Sequence, residues 1–456
     1  MKNKHSRKTF RLRQDEMLQQ LRNEIITGKR AEGQYLPSEK SLSDQFGLSN
    51  KTVRTVLDAL VDEQLIEKLP RVGNRVVNLG ERQKMTIKLG HHGTTLLEAG
   101  LSDLLAAFHN EYPHIQVQDV TLPAHSPDVM KPYMDYGMID VMTLNDSEFQ
   151  DFVETNSGSY LAPLEEMPDM YPFLTDVFRV NGELLSQPFM FSPAILCYNR
   201  NHFELEGLLE PDGSWDWDEL FDAANQLNID NERIGFHFSV SQRNRCAVFL
   251  LQSGAIFEKR SDGCVKLCGT AMMEGIRYYK DMIANRMTSL LPKQDTNFHA
   301  EELFAQGKIS MMITTYLSLN RIRESGIDYD VAQLPHLKVP ATHLISIGLS
   351  VNKQSPHVEA ARVLVDFLTS HKAQLLIRQK TLSLPSLKTA AEWAGHEDGY
   401  RPARFNMYRE IIPTFRYNSE LGLTESEWNL FFNEALTYWS GLETEASFCS
   451  RVEALL

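Results

Sequence analysis

Apolar positions in the first eighty residues follow helical spacing and then strand spacing. Met17, Leu18, Leu21, Ile25 and Ile26 predict an amphipathic helix ended by Gly28. Leu42 and Phe46 lie four apart and share one face of a second helix. Pro37-Ser38-Glu39 opens that helix, with Ser38 as its cap and Glu39 at the positive end of its dipole. Gly47 follows where a left-handed terminator belongs. Ser49 caps a third helix, whose apolar face is Val53, Val56, Leu57, Leu60 and Val61. Asn50, Lys51 and Arg54 fall on its other side, near its start. Leu65–Leu69 and Arg75–Leu79 read as two strands with Val72-Gly73-Asn74 in the turn, and Arg71 and Arg75 flank the tip. A helix–turn–helix followed by a basic β-hairpin is a winged helix, and the start of its second motif helix is where side chains reach base edges in the major groove. An ordinary amphipathic hairpin with a solvated charged face is the plainer alternative.

The pattern then changes. Glu81-Arg82-Gln83-Lys84 is polar and marks a linker. Met85–Leu89 alternates as a strand, Leu96–Tyr112 is an amphipathic helix, and Ile115–Val120 is a second strand. Strand–helix–strand at this spacing predicts a parallel α/β unit. A third strand, Ile139–Leu144, ends at Asn145-Asp146. Ligands bind beyond the carboxyl ends of strands in open α/β sheets, so Asn145 and Asp146 are candidate contacts; a loop cap is the alternative.

Composition sharpens this division. At 456 residues the chain exceeds one ordinary domain. Its 42% hydrophobic and 23% charged residues suit a globular protein. No apolar run reaches the roughly 18 residues of a membrane span. The basic start MKNKHSRKTFRLRQDE has no apolar stretch behind it and does not read as a signal peptide, so a cytoplasmic location is expected. The net charge of −14 hides an asymmetry: residues 1–80 hold 15 Lys+Arg against 10 Asp+Glu, and the remainder holds 31 against 50. A basic head on an acidic body fits a DNA-binding module attached to something that does not bind DNA. The basic arm before Gln14 either follows phosphates or is a disordered tail. Cys197, Cys246, Cys264, Cys268 and Cys449 are scattered and read as reduced and structural.

Two resemblances follow from specific residues. Ile25-Ile26-x-Gly28, Gly33, Leu36-Pro37-Ser38-Glu39, Gly47-Leu48-Ser49, Thr52-Val53-Arg54, Leu57, Leu60, Leu65-Ile66 and Gly73 make residues 14–79 resemble the DNA-binding domain of GntR-family transcription regulators. That resemblance implies DNA contacts from Lys40, Ser49, Asn50, Lys51, Thr52 and Arg54, and from Arg71, Gly73, Asn74 and Arg75 in the wing. Gln64 departs from the family, which usually has Gly there. Lys40 and Asn50 stand where many relatives have Arg.

The body resembles family-1 extracellular solute-binding proteins, the carbohydrate-binding components of bacterial uptake systems. The features run in order from Phe108-His-Asn-Glu-Tyr-Pro113 through Ile139-Asp140-Val141, Leu161-Ala-Pro-Leu164 and Gln187-Pro188-Phe189. They continue with Leu196-Cys-Tyr198-Asn199-Arg200, Ser214-Trp215-Asp-Trp217, Phe304-Ala-Gln-Gly307-Lys308 and Ile347-Gly348. The resemblance implies two α/β lobes joined by crossing strands, with ligand in the cleft. By position it makes Asn145, Asp146, Phe191, Tyr316, Ser346 and Gly348 candidate ligand contacts, with Trp393 further out. Trp215, Trp217 and Tyr198 read as packing residues. His91-His92 replaces the family's common aromatic; paired histidines suit a metal, but no third ligand lies nearby in sequence, and no metal site or cofactor is expected.

The fold expected is α/β overall: a basic arm (1–13), a winged helix (14–79), a linker (80–84) and a two-lobed clamshell (85–456). The function expected is a cytoplasmic transcription regulator, a repressor of carbohydrate uptake or utilisation genes and not an enzyme. Its partners would be operator DNA, a carbohydrate effector and a second copy of itself, with no membrane. An aminotransferase-like body, a LacI-like body, and a cleft that takes a protein partner are the alternatives. No Schiff-base Lys setting supports the first.

Overall fold

The computed structural model describes residues 13–14, 17–18, 20–22, 24–25, 28, 30–70, 72–77, 85–240, 242–285, 299–395 and 399–456. The basic arm before Arg13, Ile26, Arg71 and the linker 80–84 lie outside the described residues.

The N-terminal part is a winged helix. Helix α1 (Glu39–Phe46) starts at Ser38, whose hydroxyl accepts the Ser41 N–H at 3.1 Å, and stops at Gly47 with φ +61°. Helix α2 (Asn50–Asp62) starts at Ser49, which accepts the Thr52 N–H at 3.2 Å. Leu42, Val53, Val56, Leu57 and Leu60 are buried between them. Strands β1 (Ile66–Leu69) and β2 (Gly73–Val76) pair antiparallel, so Gly73 and Asn74 sit in the strand and not in the turn. The segment 33–36 adds to the outer side of β2 through Gly33 N–H to Val76 O and Leu36 N–H to Asn74 O. Gln64 adopts φ +58°, the left-handed conformation that favours glycine.

The body is built on one continuous sheet. Strands β3 (Met85–His91), β4 (Ile115–Thr121) and β5 (Val141–Asn145) lie parallel, with β3 in the middle. The helix expected between β3 and β4 is two helices, Thr95–Glu98 and α3 (Leu101–Glu111), because Gly100 turns to φ +61°. Helix α4 (Asp146–Glu154) begins directly at the end of β5. Strand β6 (Gln187–Asn199) has thirteen residues, all buried. Helix α5 (Trp217–Leu227), strand β7 (Ile234–His237), helix α6 (Arg243–Gln252), strand β8 (Ile309–Thr315), strand β9 (Tyr329–Ala332) and strand β10 (Thr342–Val351) follow. The order across the sheet is β4-β3-β5-β10-β6-β8-β7, with β9 also on β6.

Two lobes emerge from the register. Residues Gln187–Pro193 of β6 pair with β10, while Ala194–Tyr198 pair with β8. One strand therefore serves the first lobe with its first half and the second lobe with its second half. The C-terminal helices α7 (Glu425–Trp439) and α8 (Glu445–Leu455) pack their Trp428, Phe431, Phe432, Trp439 and Phe448 into the second lobe's core. Trp217 is buried there too and donates its indole N–H to Gln252 at 2.9 Å. The buried residues of the winged helix and of the first lobe form one cluster, which includes Met17, Leu21, Leu104, Phe108 and Val363.

Candidate ligand cleft and nucleic-acid interface

A cavity of about 550 Å³ opens between the lobes, within the size range of small-molecule sites. Four separate stretches line it. Asn145, Asp146 and Ser147 come from the β5–α4 junction of the first lobe. Gln242, Arg243 and Asn244 come from the start of α6 in the second lobe. His343 and Ile345 come from the crossing strand β10, and Asn418, Glu425, Trp428, Asn429, Phe432 and Asn433 from the C-terminal region. Asp146, Arg243 and Glu425 are each the first residue of a helix, so three helix N-termini, with their positive dipole ends, face one space.

The polar groups at this wall are constrained. Asn145 caps α4 by accepting the Glu148 N–H at 2.9 Å, and Glu148 accepts the Asn145 N–H at 2.9 Å. Asp146 accepts the Ser346 N–H at 2.8 Å and so ties the helix start to the crossing strand. Burial raises its carboxyl to about 7, against the lowering effect of the Ser346 and Asp146 backbone N–H groups. Burial likewise raises Glu425 to about 7, opposed by the charge and hydrogen bond of Arg243 at 3.3 Å. Burial lowers His343 to about 3, helped by the charge of Arg245. Both ring nitrogens of His343, the indole N–H of Trp428 and the amide oxygen of Asn418 are buried without a protein partner. Such groups are uncommon, and here four such atoms belong to three residues lining one cavity. Across the cleft, Glu154 of α4 accepts the Glu425 N–H at 2.8 Å, a direct link between the lobes.

The six ligand candidates read from the sequence separate. Asn145 and Asp146 stand at the cavity. Ser346 lies behind it, its N–H on Asp146 and its hydroxyl sharing a 2.6 Å hydrogen bond with Tyr417. Phe191 is fully buried among Tyr171, Phe173, Tyr408 and Phe415. Tyr316 is fully buried too, its hydroxyl donating to Phe405 O at 2.9 Å and its ring edge-on to Phe405. Gly348 sits at a register shift of β10, where a Cβ would meet Ser186 Oγ at 2.3 Å; close packing, not ligand, explains the glycine. The aromatic residues lining the cavity are instead Trp428 and Phe432. The resemblance read from the sequence stopped short of that helix. The capped start Thr424-x-x-Glu427 before its apolar residues was the signal available there.

At the other end of the chain, Lys40, Ser49, Asn50, Lys51 and Arg54 are exposed around the α1–α2 turn. Arg54 pairs with Glu39 at 2.7 Å while its side chain stays 61% exposed. Thr52 is buried and shares a 2.8 Å hydrogen bond with Ser49, so it holds the turn. In the wing Gly73 is exposed and Arg75 pairs with Glu67 at 2.5 Å. Asn74 is buried, with its amide oxygen unpaired.

A winged helix on a two-lobed α/β clamshell with crossing strands defines the class: a binding protein of the periplasmic type carrying a DNA-binding head. Residues 94–375 match the bacterial extracellular solute-binding protein family, and the chain belongs to it; residues 13–76 match the bacterial regulatory proteins of the gntR family. Among curated relatives, a binding protein of Brucella abortus is 26% identical over 220 residues, 47% of this chain and 53% of that protein. The sn-glycerol-3-phosphate-binding periplasmic protein UgpB of Brucella melitensis is 25% identical over 238 residues, 49% and 53% of the two chains. The chain thus spans about half the length of these relatives. Among solved structures, maltose-bound MalE3 of T. maritima superposes with a TM-score of 0.69 at 18% identity, covering 81% of this chain and 98% of that one. A Listeria monocytogenes ABC substrate-binding protein in complex with cycloalternan gives 0.67 at 19%, covering 82% and 98%. No helix among the described residues is long and apolar enough to cross a membrane.

Proposed function

We propose that this chain is a cytoplasmic transcription regulator. Its winged helix binds operator DNA as a homodimer, and its clamshell binds a carbohydrate that weakens operator binding, as in a repressor of carbohydrate uptake or utilisation genes. The observation that carries this reading is the inter-lobe cavity. It combines the aromatic residues Trp428 and Phe432 with amide side chains from Asn145, Asn244, Asn429 and Asn433. Sugars offer apolar C–H faces for rings and hydroxyls for amides, and the set serves both. The buried contact of the winged helix with the first lobe supplies a path by which lobe movement reaches the DNA-binding surface. Relatives named for binding maltose, cycloalternan and sn-glycerol-3-phosphate support the ligand class.

The three helix N-termini at the cavity favour a second reading, a phosphorylated sugar or polyol, because such ends attract anionic oxygen. A panel of neutral sugars and sugar phosphates scored by melting temperature tests both. A ligand at 100 times its Kd adds about 2.7 kcal/mol of stability. Stabilisation by neutral sugars supports the first reading, and stabilisation by phosphorylated compounds alone supports the second. If neither class shifts the midpoint, the small-molecule sensor is refuted.

A further inference from the structure

We propose that His92, His125 and Glu148 form a binding site for one divalent transition-metal ion of the zinc class. The three come from separate places: His92 directly after β3, His125 in the loop after β4, and Glu148 in the first turn of α4. Their ligand atoms all lie within 4.8 Å of one another. His92 Nε2 is hydrogen bonded to Glu148 Oε1 at 2.8 Å, and the His92 and His125 rings stack with centroids 3.5 Å apart. His125 is only 4% exposed, and its Nε2 is buried with no hydrogen-bond partner. A buried imidazole nitrogen left unpaired is costly, and a metal ion is one means of satisfying it.

The donor set selects the metal. Two imidazoles and one carboxylate suit Zn²⁺ and its neighbours, whereas Mg²⁺ and Ca²⁺ prefer oxygen alone. Bonds of about 2.0–2.2 Å place tetrahedral ligand atoms roughly 3.3 Å apart. The His92–Glu148 pair opens by about half an ångström to reach that, and the stacked rings tilt so that their nitrogens converge. The His92 side chain is 30% exposed, which leaves a route for the ion and a fourth position for water. The carboxylate is already oriented from behind, since Glu148 Oε2 accepts the Asn145 N–H at 2.9 Å. His91 stands outside this set: its Nδ1 donates to the His92 carbonyl at 2.7 Å and its Nε2 faces Asp119 at 3.5 Å. Since Asn145 also lines the cleft, the ion would pin the first lobe's half of that wall. The site itself does not depend on what the cleft binds.

The test uses the full chain stripped with chelator and titrated with Co²⁺ and then Zn²⁺. The expected result is one equivalent of Co²⁺ with visible ligand-field absorption, bleached by Zn²⁺ and unaffected by Mg²⁺. His125→Asn and Glu148→Gln should each weaken Zn²⁺ binding by roughly 100-fold or more, since loss of an outer-shell partner alone costs 10–100-fold. Gln at 148 preserves the helix cap, so metal-free Glu148→Gln should melt like the metal-free wild type and decides the matter if His125→Asn fails to fold. Replacing Cys264 and Cys268 with Ser should leave binding unchanged. Absence of saturable binding, or equal affinity in wild type and Glu148→Gln, overturns the proposal.

Discussion

The two ends of this molecule present their candidate binding residues in opposite ways. At the winged helix, Lys40, Asn50, Lys51 and Arg54 are exposed within fifteen residues of chain, on elements whose caps and apolar faces are written locally. At the cleft, the wall comes from residues 145–147, 242–244, 343–345 and 418–433, and Asp146, His343 and Glu425 among its polar groups are buried. A DNA-facing surface must be accessible and needs only a rigid helix behind it. A ligand cleft must exclude water and needs several distant segments brought together. The first is therefore a local motif and the second a property of the fold.

This difference can be broken or sharpened by substitution. The largest effect belongs to a residue that lies in the core. Tyr316→Ala should destabilise the clamshell by about 3–5 kcal/mol, as large-to-small changes of buried aromatics do. Tyr316→Phe should lose only the hydroxyl's hydrogen bonds with the Phe405 and Tyr408 backbone, about 1 kcal/mol each, and leave ligand affinity unchanged. Ligand binding lost in a stably folded Tyr316→Phe protein would return that residue to the site. Next, Arg54→Ala should weaken specific operator binding by about 1–3 kcal/mol without altering the melting temperature. Gel-shift titrations at one salt concentration measure this, and wild-type affinity in the variant would remove α2 as the reading helix.

Titration gives a third handle. Asp146 is raised from 3.8 to about 7 by burial, so between those values the folded state holds a proton that the unfolded chain has released. Its contribution to stability is present below the unfolded value, falls as pH rises through this window and is lost above about 7. Asp146→Asn cannot ionise, so its stability relative to wild type should climb across the same window. Denaturant curves over that range measure it, and a difference independent of pH would contradict the assignment. The smallest effect is expected from Asn429→Ala, a half-buried amide at the cavity. About 1 kcal/mol of ligand affinity should go, with unchanged stability, in calorimetric titration.

Much of the architecture was legible because local chemistry announced it. Ser38, Gly47 and Ser49 bound the two motif helices as their residue types require. Strands at Met85, Ile115 and Val141 stand close to where alternation and apolar runs placed them. Errors arose where backbone conformation overrode periodicity. Gly100 splits a helix whose apolar spacing runs on, and Gly73-Asn74 belongs to a wing strand although its residue types suggest a turn. The cleft was legible only at Asn145-Asp146, where a strand end marks it. Phe191, Tyr316 and Gly348 stand where the family resemblance implies ligand contacts, yet packing across β6 and β10 buries Phe191 and Gly348, and packing on Phe405 and Tyr408 buries Tyr316. Nothing in the spacing of Trp428 and Phe432 distinguishes an aromatic at a cavity from one in a core. Nor does sequence distance hint that His92 meets His125 and Glu148.

The proposed function requires that the cleft and the DNA-binding surface be coupled. Thermodynamic linkage makes this reciprocal: a ligand that changes operator affinity must have its own affinity changed by operator to the same degree. The direct measurement is a ligand titration of the full chain, with and without saturating operator, at one salt concentration. The account predicts weaker ligand binding in the presence of operator, by about 1–3 kcal/mol. Equal ligand affinities in the two titrations would contradict it, even with both binding activities intact.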